Sequence, residues 1–127
     1  MPQLVALMDD ILFLSRIREA ARGSGVAVKS VRDKAELLAA AREDTRLVVV
    51  DADSERVPWA DALAALRAEP SQAEIPIVAF VSHVRPDLAL TARESGASRV
   101  LARSAFVREL PELVASLEKP PVEPPGR

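Results

Sequence analysis

Four aspartates follow two strongly apolar runs of the sequence, and their types and spacing suit cation binding. Asp9 and Asp10 come directly after QLVALM, and Asp51 and Asp53 come after LVVV. A short apolar run that is rich in valine and ends in acids is typical of a buried strand whose carboxyl end reaches solvent. Carboxylates that lie close together raise one another's pKa or recruit a cation. Because Mg²⁺ prefers oxygen ligands and a carboxylate can accept a phosphoryl group, the pattern predicts magnesium and phosphoryl chemistry.

The elements that must bring these acids together alternate regularly between strand and helix. Apolar runs with strand patterns are each followed by a segment with helical periodicity. The predicted strands are 3–8, 25–31, 47–50, 75–82 and 98–102, and the predicted helices are 11–22, 34–44, 58–69, 86–95 and 110–118. Pro86 and Gly96 mark the ends of the fourth helix, and Pro111 is expected near the first turn of the last one. The proline-rich segment 119–127 is expected to be a disordered tail.

This alternation predicts an α/β domain over residues 1–118, with one parallel sheet covered by helices on both faces. We expect right-handed crossovers and a doubly wound (βα)5 three-layer sandwich with strand order 2-1-3-4-5. In that order the chain reverses direction between strands one and three, and a crevice opens at their carboxyl ends. The four aspartates all fall at this crevice.

Composition narrows the classes of function. The chain has 127 residues, is 49% hydrophobic and contains no cysteine, so it suits one domain without disulfides or thiolate sites. Its single histidine, His83, excludes a multi-histidine metal site. Basic and acidic residues, 17 and 19 in number, are interspersed, which argues against direct nucleic-acid binding. The apolar stretch in the opening MPQLVALMDD is too short for a signal peptide or a membrane span, so we expect a cytoplasmic protein.

Over residues 3–118 the sequence resembles the response-regulator receiver domains of two-component signalling, which have a flavodoxin-like fold. The resemblance rests on the acid pair after the first strand, the aspartate that ends the third, an Ile-Pro pair before the fourth and a Gly-Ala pair before the fifth: Asp9-Asp10, Asp51, Ile75-Pro76 and Gly96-Ala97. It implies a stand-alone signalling module that is not an enzyme. In the family, the first-strand acids hold Mg²⁺ and the third-strand aspartate accepts a phosphoryl group.

Carried onto this chain, the resemblance makes Asp51 the candidate phosphoryl acceptor. Asp9 and Asp10 become Mg²⁺ ligands together with Asp51, and the main-chain carbonyl of Asp53 becomes a further ligand. The implied partners are a histidine kinase or phosphotransfer protein and a downstream protein that binds residues 85–118. A homodimer is left open.

The sequence departs from receivers at the end of the fifth strand. Arg103 followed by Ser104 stands where receivers have a lysine and then a proline after a cis bond. Because arginine is always charged and presents a planar fork, Arg103 can bind a phosphoryl group or can pair with Asp51 or Asp10 at rest. Without the proline a cis bond is costly, so we expect Arg103 in a loop with trans geometry.

A second set of departures concerns the switch. Val81 falls where receivers carry a threonine or serine, and Ser82 lies one place later; Val100 falls where they carry an aromatic residue. Val81 has no hydroxyl to follow a phosphoryl group, so Ser82 is the candidate substitute. Trp59 in the segment after the third strand is expected to pack in the core, to cover the acids or to form part of a binding surface.

Three alternatives stay open. The first is a phosphorylation-independent pseudo-receiver that works as a scaffold or binding module. The second is a small phosphatase, because VVVDADS also resembles the first motif of haloacid-dehalogenase-type enzymes, with Asp51 as nucleophile and Asp53 as acid/base. The early position of Asp9 and Asp10 and the short chain count against it. The third is purely structural: Asp10 and Asp53 cap helices, and Arg103 forms a solvated ion pair.

Overall fold

The chain folds as alternating strands and helices in a computed structural model that describes residues 1–41, 44–83 and 85–118. The elements are β1 (Gln3–Leu7), α1 (Ile11–Ala21), β2 (Ala27–Val31), α2 (Lys34–Ala40), β3 (Thr45–Asp51), α3 (Trp59–Ala68), β4 (Ile77–Val81), α4 (Pro86–Ser95), β5 (Arg99–Ala102) and α5 (Arg103–Glu118). A short 3₁₀ turn, Pro70–Gln72, precedes β4. The predicted tail 119–127 and residues 42–43 of the predicted helix 34–44 lie outside the described residues. The predicted end of that helix at residue 44 is wrong, because α2 ends at Ala40 and the backbone of Ala41 is extended.

The five strands form one parallel sheet in the order β2-β1-β3-β4-β5, which confirms the predicted topology. Leu7 pairs with Val50, and Asp51 pairs with Phe80. β1 and β4 are buried along their whole length, as a parallel sheet covered on both faces requires. This order places the carboxyl ends of β1, β3 and β4 side by side.

Alternate residues of the central strands supply two separate cores. Val48 and Val50 of β3 face the core shared with α2 and α3, whereas Leu47 and Val49 face the core shared with α1 and α5. Trp59, the first residue of α3, belongs to the α2/α3 core and is 8% exposed. It is therefore a packing residue, which confirms one of the roles expected for it. No helix in the described ranges has the length and apolar character that crossing a bilayer requires.

The last helix differs most from the prediction. α5 begins at Arg103, seven residues before the predicted start, and Pro111 lies inside it. Phe106, Leu110 and Val114 recur every four residues and are buried against the sheet. Proline inside a helix removes one backbone hydrogen bond, but this buried apolar face extends on both sides of it. Packing on the sheet therefore carries the helix through the proline.

Arg67 joins α3 to the segments that lead into β4 and β5. Its guanidinium donates to the carbonyl oxygens of Ala73, Ile75 and Gly96, at 2.7, 2.7 and 2.6 Å, and lies 3.3 Å from the Ser98 hydroxyl. Gly96 ends α4 at φ +125°, and a Cβ atom there would lie 2.6 Å from Cγ of Arg67. Gly96 is thus required both by its backbone and by the packing of Arg67.

We expect Gly96→Ala to lower the free energy of unfolding by about 2–4 kcal/mol, because it adds a steric clash to the cost of positive φ. The matched control is Gly23→Ala, where φ is +74° and nothing lies within 4 Å of the added atom. That control should cost only about 1 kcal/mol. Urea denaturation of both variants measures the difference, and equal losses would show that the contact with Arg67 imposes no constraint.

Candidate functional site

The first acid of the site is Asp10, which follows β1 and begins α1. Its Oδ1 accepts a hydrogen bond from the main-chain N–H of Phe13 at 2.9 Å, so it is the N-cap of the helix. The other oxygen, Oδ2, lies 3.7 Å from Nη1 of Arg103. The structural reading of Asp10 as a cap is therefore confirmed, and one carboxylate oxygen still faces the crevice.

Asp51, the last residue of β3, is the buried acid of the site. It is only 4% exposed. Its Oδ1 accepts the main-chain N–H of Asp53 at 3.0 Å, and its Oδ2 lies 3.7 Å from Nη2 of Arg103. One guanidinium thus lies between the carboxylates of Asp10 and Asp51.

The two remaining acids make different contacts. The Asp53 carboxylate accepts the main-chain N–H of Ser82, which ties the segment after β3 to the segment after β4. Because α3 begins beyond Pro58, the prediction that Asp53 caps a helix is wrong. Oδ1 of Asp9 accepts the hydroxyl of Ser54 at 3.3 Å. No sequence pattern singled out Ser54.

Arg103 is placed by the junction of β5 and α5. It is the first residue of α5, not part of a loop as expected, and no peptide bond among the described residues is cis. Of the two roles that the sequence left open for Arg103, the pairing with Asp51 and Asp10 is the one present. The physical reason for the early helix start is the burial of Phe106, which needs α5 to pack on the sheet from its first turn.

Two aromatic rings pack against the guanidinium of Arg103. Its central carbon lies 4.9 Å from the ring centroid of Phe13 and 5.3 Å from that of Phe80. Those two rings and Phe106 are mutually in contact, with centroids 4.5 to 5.8 Å apart. Such cation–π contacts favour a cation held against the ring faces. Sequence reasoning did not select these phenylalanines, because only the packing of α1, β4 and α5 brings them together.

The candidate switch residues do not place a buried hydroxyl group beside the acids. Val81 is fully buried, whereas Ser82 is exposed and contributes its main-chain N–H to Asp53. His83 is exposed, and Val100 is partly buried against the α2/α3 core.

A cavity of about 650 Å³ lies beside the site between α1 and α5. Its lining comprises Asp10, Leu12, Phe13, Arg16, Ser82, Arg103, Ser104 and Val107.

Burial raises the pKa of the Asp51 carboxyl above its ordinary value of 3.8, and the charges of Asp53 and Asp10 raise it further. The hydrogen bond from the N–H of Asp53 and the charge of Arg103 act in the opposite direction on this pKa. The folded protein therefore holds the Asp51 proton more tightly than the unfolded chain. Any stability from this group is greatest below pH 3.8 and is lost as the pH rises through the raised pKa.

The implied divalent ion does not fit the side chains as they stand. In the described ranges, no three His, Cys, Asp or Glu side chains are grouped so as to hold a metal ion. Asp10 and Asp51 each direct one oxygen at Arg103, and Asp9 and Asp53 bind protein donors. The role of these four aspartates as metal ligands stays a prediction.

We expect Asp51→Asn to unfold at a higher temperature than the wild type at pH 7, because it removes a buried charge and keeps the acceptor for the N–H of Asp53. The difference should shrink as the pH falls toward 3.8 and below. Thermal unfolding across this range measures it. Asp61→Asn is the control, because Asp61 forms a surface ion pair with Lys34 and its side chain is 72% exposed. A less stable Asp51→Asn at pH 7 would show that the pairing with Arg103 outweighs burial.

Comparison with known proteins gives similarity in structure alone. No protein-family profile matches the sequence, and no curated protein is significantly similar to it. A response regulator from Hahella chejuensis superposes with a TM-score of 0.78 at 18% identity, over 92% of this chain and 95% of that one. The chemotaxis response regulator CheY4 of Vibrio cholerae gives 0.74 at 18% identity, over 92% and 98%.

A third similar structure is the Mn²⁺-bound form of the response regulator Rcp1, with a TM-score of 0.69 at 17% identity over 93% of this chain and 92% of that one. These matches extend over nearly the whole of each chain, and the strand order is the same flavodoxin-like order found here. The protein therefore has the fold of response-regulator receiver domains, with an arginine between two of its acids.

Proposed function

We propose that this chain is a receiver-type signalling module that acts through protein contacts without needing phosphorylation of Asp51. The observation that carries the proposal is the pairing of Arg103 with both Asp10 and Asp51 at 3.7 Å. A fixed positive charge lies between the two carboxylates and offsets their mutual repulsion in the unmodified protein.

The position of Arg103 connects the acids to a contact surface. Arg103 is the first residue of α5. The elements α4, β5 and α5 all lie within residues 85–118, the range expected to bind a downstream protein. Leu90 on α4 is 56% exposed there, and Arg99 of β5 pairs with Glu109 of α5 at 3.0 Å. An exposed apolar side chain and an exposed ion pair in the same segment suit binding to another protein.

The groups that would transmit phosphorylation are already occupied or absent. Val81 has no hydroxyl and is fully buried. The N–H of Ser82 is taken by the carboxylate of Asp53. A modification shifts a conformational equilibrium only through contacts that differ between the two states, and these two positions offer few such contacts. The surface at 85–118 is therefore expected to be the same with and without a phosphoryl donor.

A second candidate is a working receiver, and the position of Asp51 at the carboxyl end of β3 favours it. A carboxylate oxygen of Asp51 would attack the phosphorus of a phosphohistidine on a histidine kinase or phosphotransfer protein. The new P–O bond forms as the P–N bond breaks, and the ring nitrogen keeps the electron pair. Arg103 would then neutralise phosphoryl oxygens in place of the lysine.

The phosphatase alternative is less well supported. It needs the carboxyl of Asp53 as an acid/base beside Asp51, but that carboxylate accepts the N–H of Ser82. We therefore propose a signalling protein and not an enzyme.

Intact-mass measurement after incubation with acetyl phosphate and Mg²⁺ tests the proposal. We expect no phosphoryl adduct on the wild type, because Arg103 already occupies the acid pair. Asp51→Asn provides the mass baseline, and Arg103→Lys tests whether the residue common in receivers permits modification. One adduct on the wild type that is lost in Asp51→Asn would establish the second candidate instead.

Hydrogen exchange under the same conditions tests the contact surface. The amides of residues 85–118 should exchange at unchanged rates when acetyl phosphate is added. A change confined to this range, abolished by Asp51→Asn, would show that phosphorylation controls the surface.

A further inference from the structure

The guanidinium of Arg103 is held on three sides. Its two terminal nitrogens each lie 3.7 Å from a carboxylate oxygen, one on Asp10 and one on Asp51. The rings of Phe13 and Phe80 lie against its central carbon. Its Nε is buried and has no hydrogen-bond partner among the described residues. The charge is thus held between the acids by electrostatic and ring contacts.

The oxygens that a divalent ion would need are the ones that face Arg103. Oδ1 of Asp10 is bound to the N–H of Phe13, and Oδ1 of Asp51 is bound to the N–H of Asp53. This leaves Oδ2 of each residue, and both point to the guanidinium. An ion bound between these oxygens would lie next to a permanent positive charge in a partly buried site, where repulsion is only weakly screened.

We propose that Arg103 is the resident cation of this site and that it excludes Mg²⁺ and Mn²⁺ from the acid pair. One free oxygen of Asp10 and one of Asp51 face the same position, and the chain supplies the cation there itself. Removal of the guanidinium leaves two carboxylates without a counter-charge and converts the site into a divalent-metal site. This inference concerns ion binding alone, so it can be tested whichever signalling mode the protein uses.

Titration with Mn²⁺, followed by the paramagnetic signal of the free ion, tests the proposal directly. The wild type should show no saturable site at millimolar Mn²⁺. Arg103→Ala should gain one site, with affinity about tenfold or more above any binding by the wild type. The double variant Arg103→Ala/Asp10→Asn should lose the gained site, because it lacks one of the two free oxygens.

A matched control separates the effect of position from that of net charge. Arg16 lines the same cavity and has no ion pair to the acids among the described residues. Arg16→Ala removes the same charge, and it should not create a metal site. Equal gains in Arg16→Ala and Arg103→Ala would overturn the proposal, since the effect would then be one of net charge.

The unfolding temperature with and without Mg²⁺ gives a second measure of metal binding. It also shows whether the alanine variant is folded. Mg²⁺ should raise the unfolding temperature of Arg103→Ala and leave that of the wild type unchanged, because only a folded state that binds the ion is stabilised by it. Arg103→Gln keeps most of the side-chain volume and should behave in the same way. Saturable wild-type binding that Asp10→Asn abolishes would overturn the proposal, and so would the failure of folded Arg103→Gln to gain a site.

Discussion

The site is organised around one buried charge, the carboxylate of Asp51. β3 places this group at the carboxyl edge of the sheet, where only 4% of the residue is exposed. A buried charge must be paired or hydrogen-bonded, and Asp51 is both, through Arg103 and the N–H of Asp53. The first residue of α5 and the segment after β3 each supply one of these two partners.

Each acid in the crevice serves the fold as well as the site. Asp10 holds the first turn of α1, and Asp53 holds the segment after β4. One oxygen of each of these residues is therefore committed to a backbone amide. Because these amides lie in different elements, a new charge at Asp51 would act close to contacts that hold the first turn of α1 and the segment after β4. The chemistry and the local backbone structure are thus linked through the same side chains.

The receiver fold of this protein does not by itself imply a bound metal ion. The architecture agrees closely with response regulators although identity is below 20% for the three structures compared. A parallel sheet with this strand order creates a crevice at the carboxyl ends of its strands whatever residues occupy it. Between two of the acids in this crevice lies an internal guanidinium. The shared architecture therefore does not by itself decide which cation lies between the acids.

The sequence alone determined the sheet order, most helix bounds and the gathering of the aspartates. These follow from local rules: alternating periodicities require parallel crossovers, and acids after apolar runs fall at the strand ends. It did not determine the start of α5, because Pro111 suggested a boundary and only packing of Phe106 against the sheet extends the helix to Arg103. It also left open the partner of Arg103. That choice depends on distances between β1, β3 and α5, which are far apart in the chain and are brought together only by the tertiary structure.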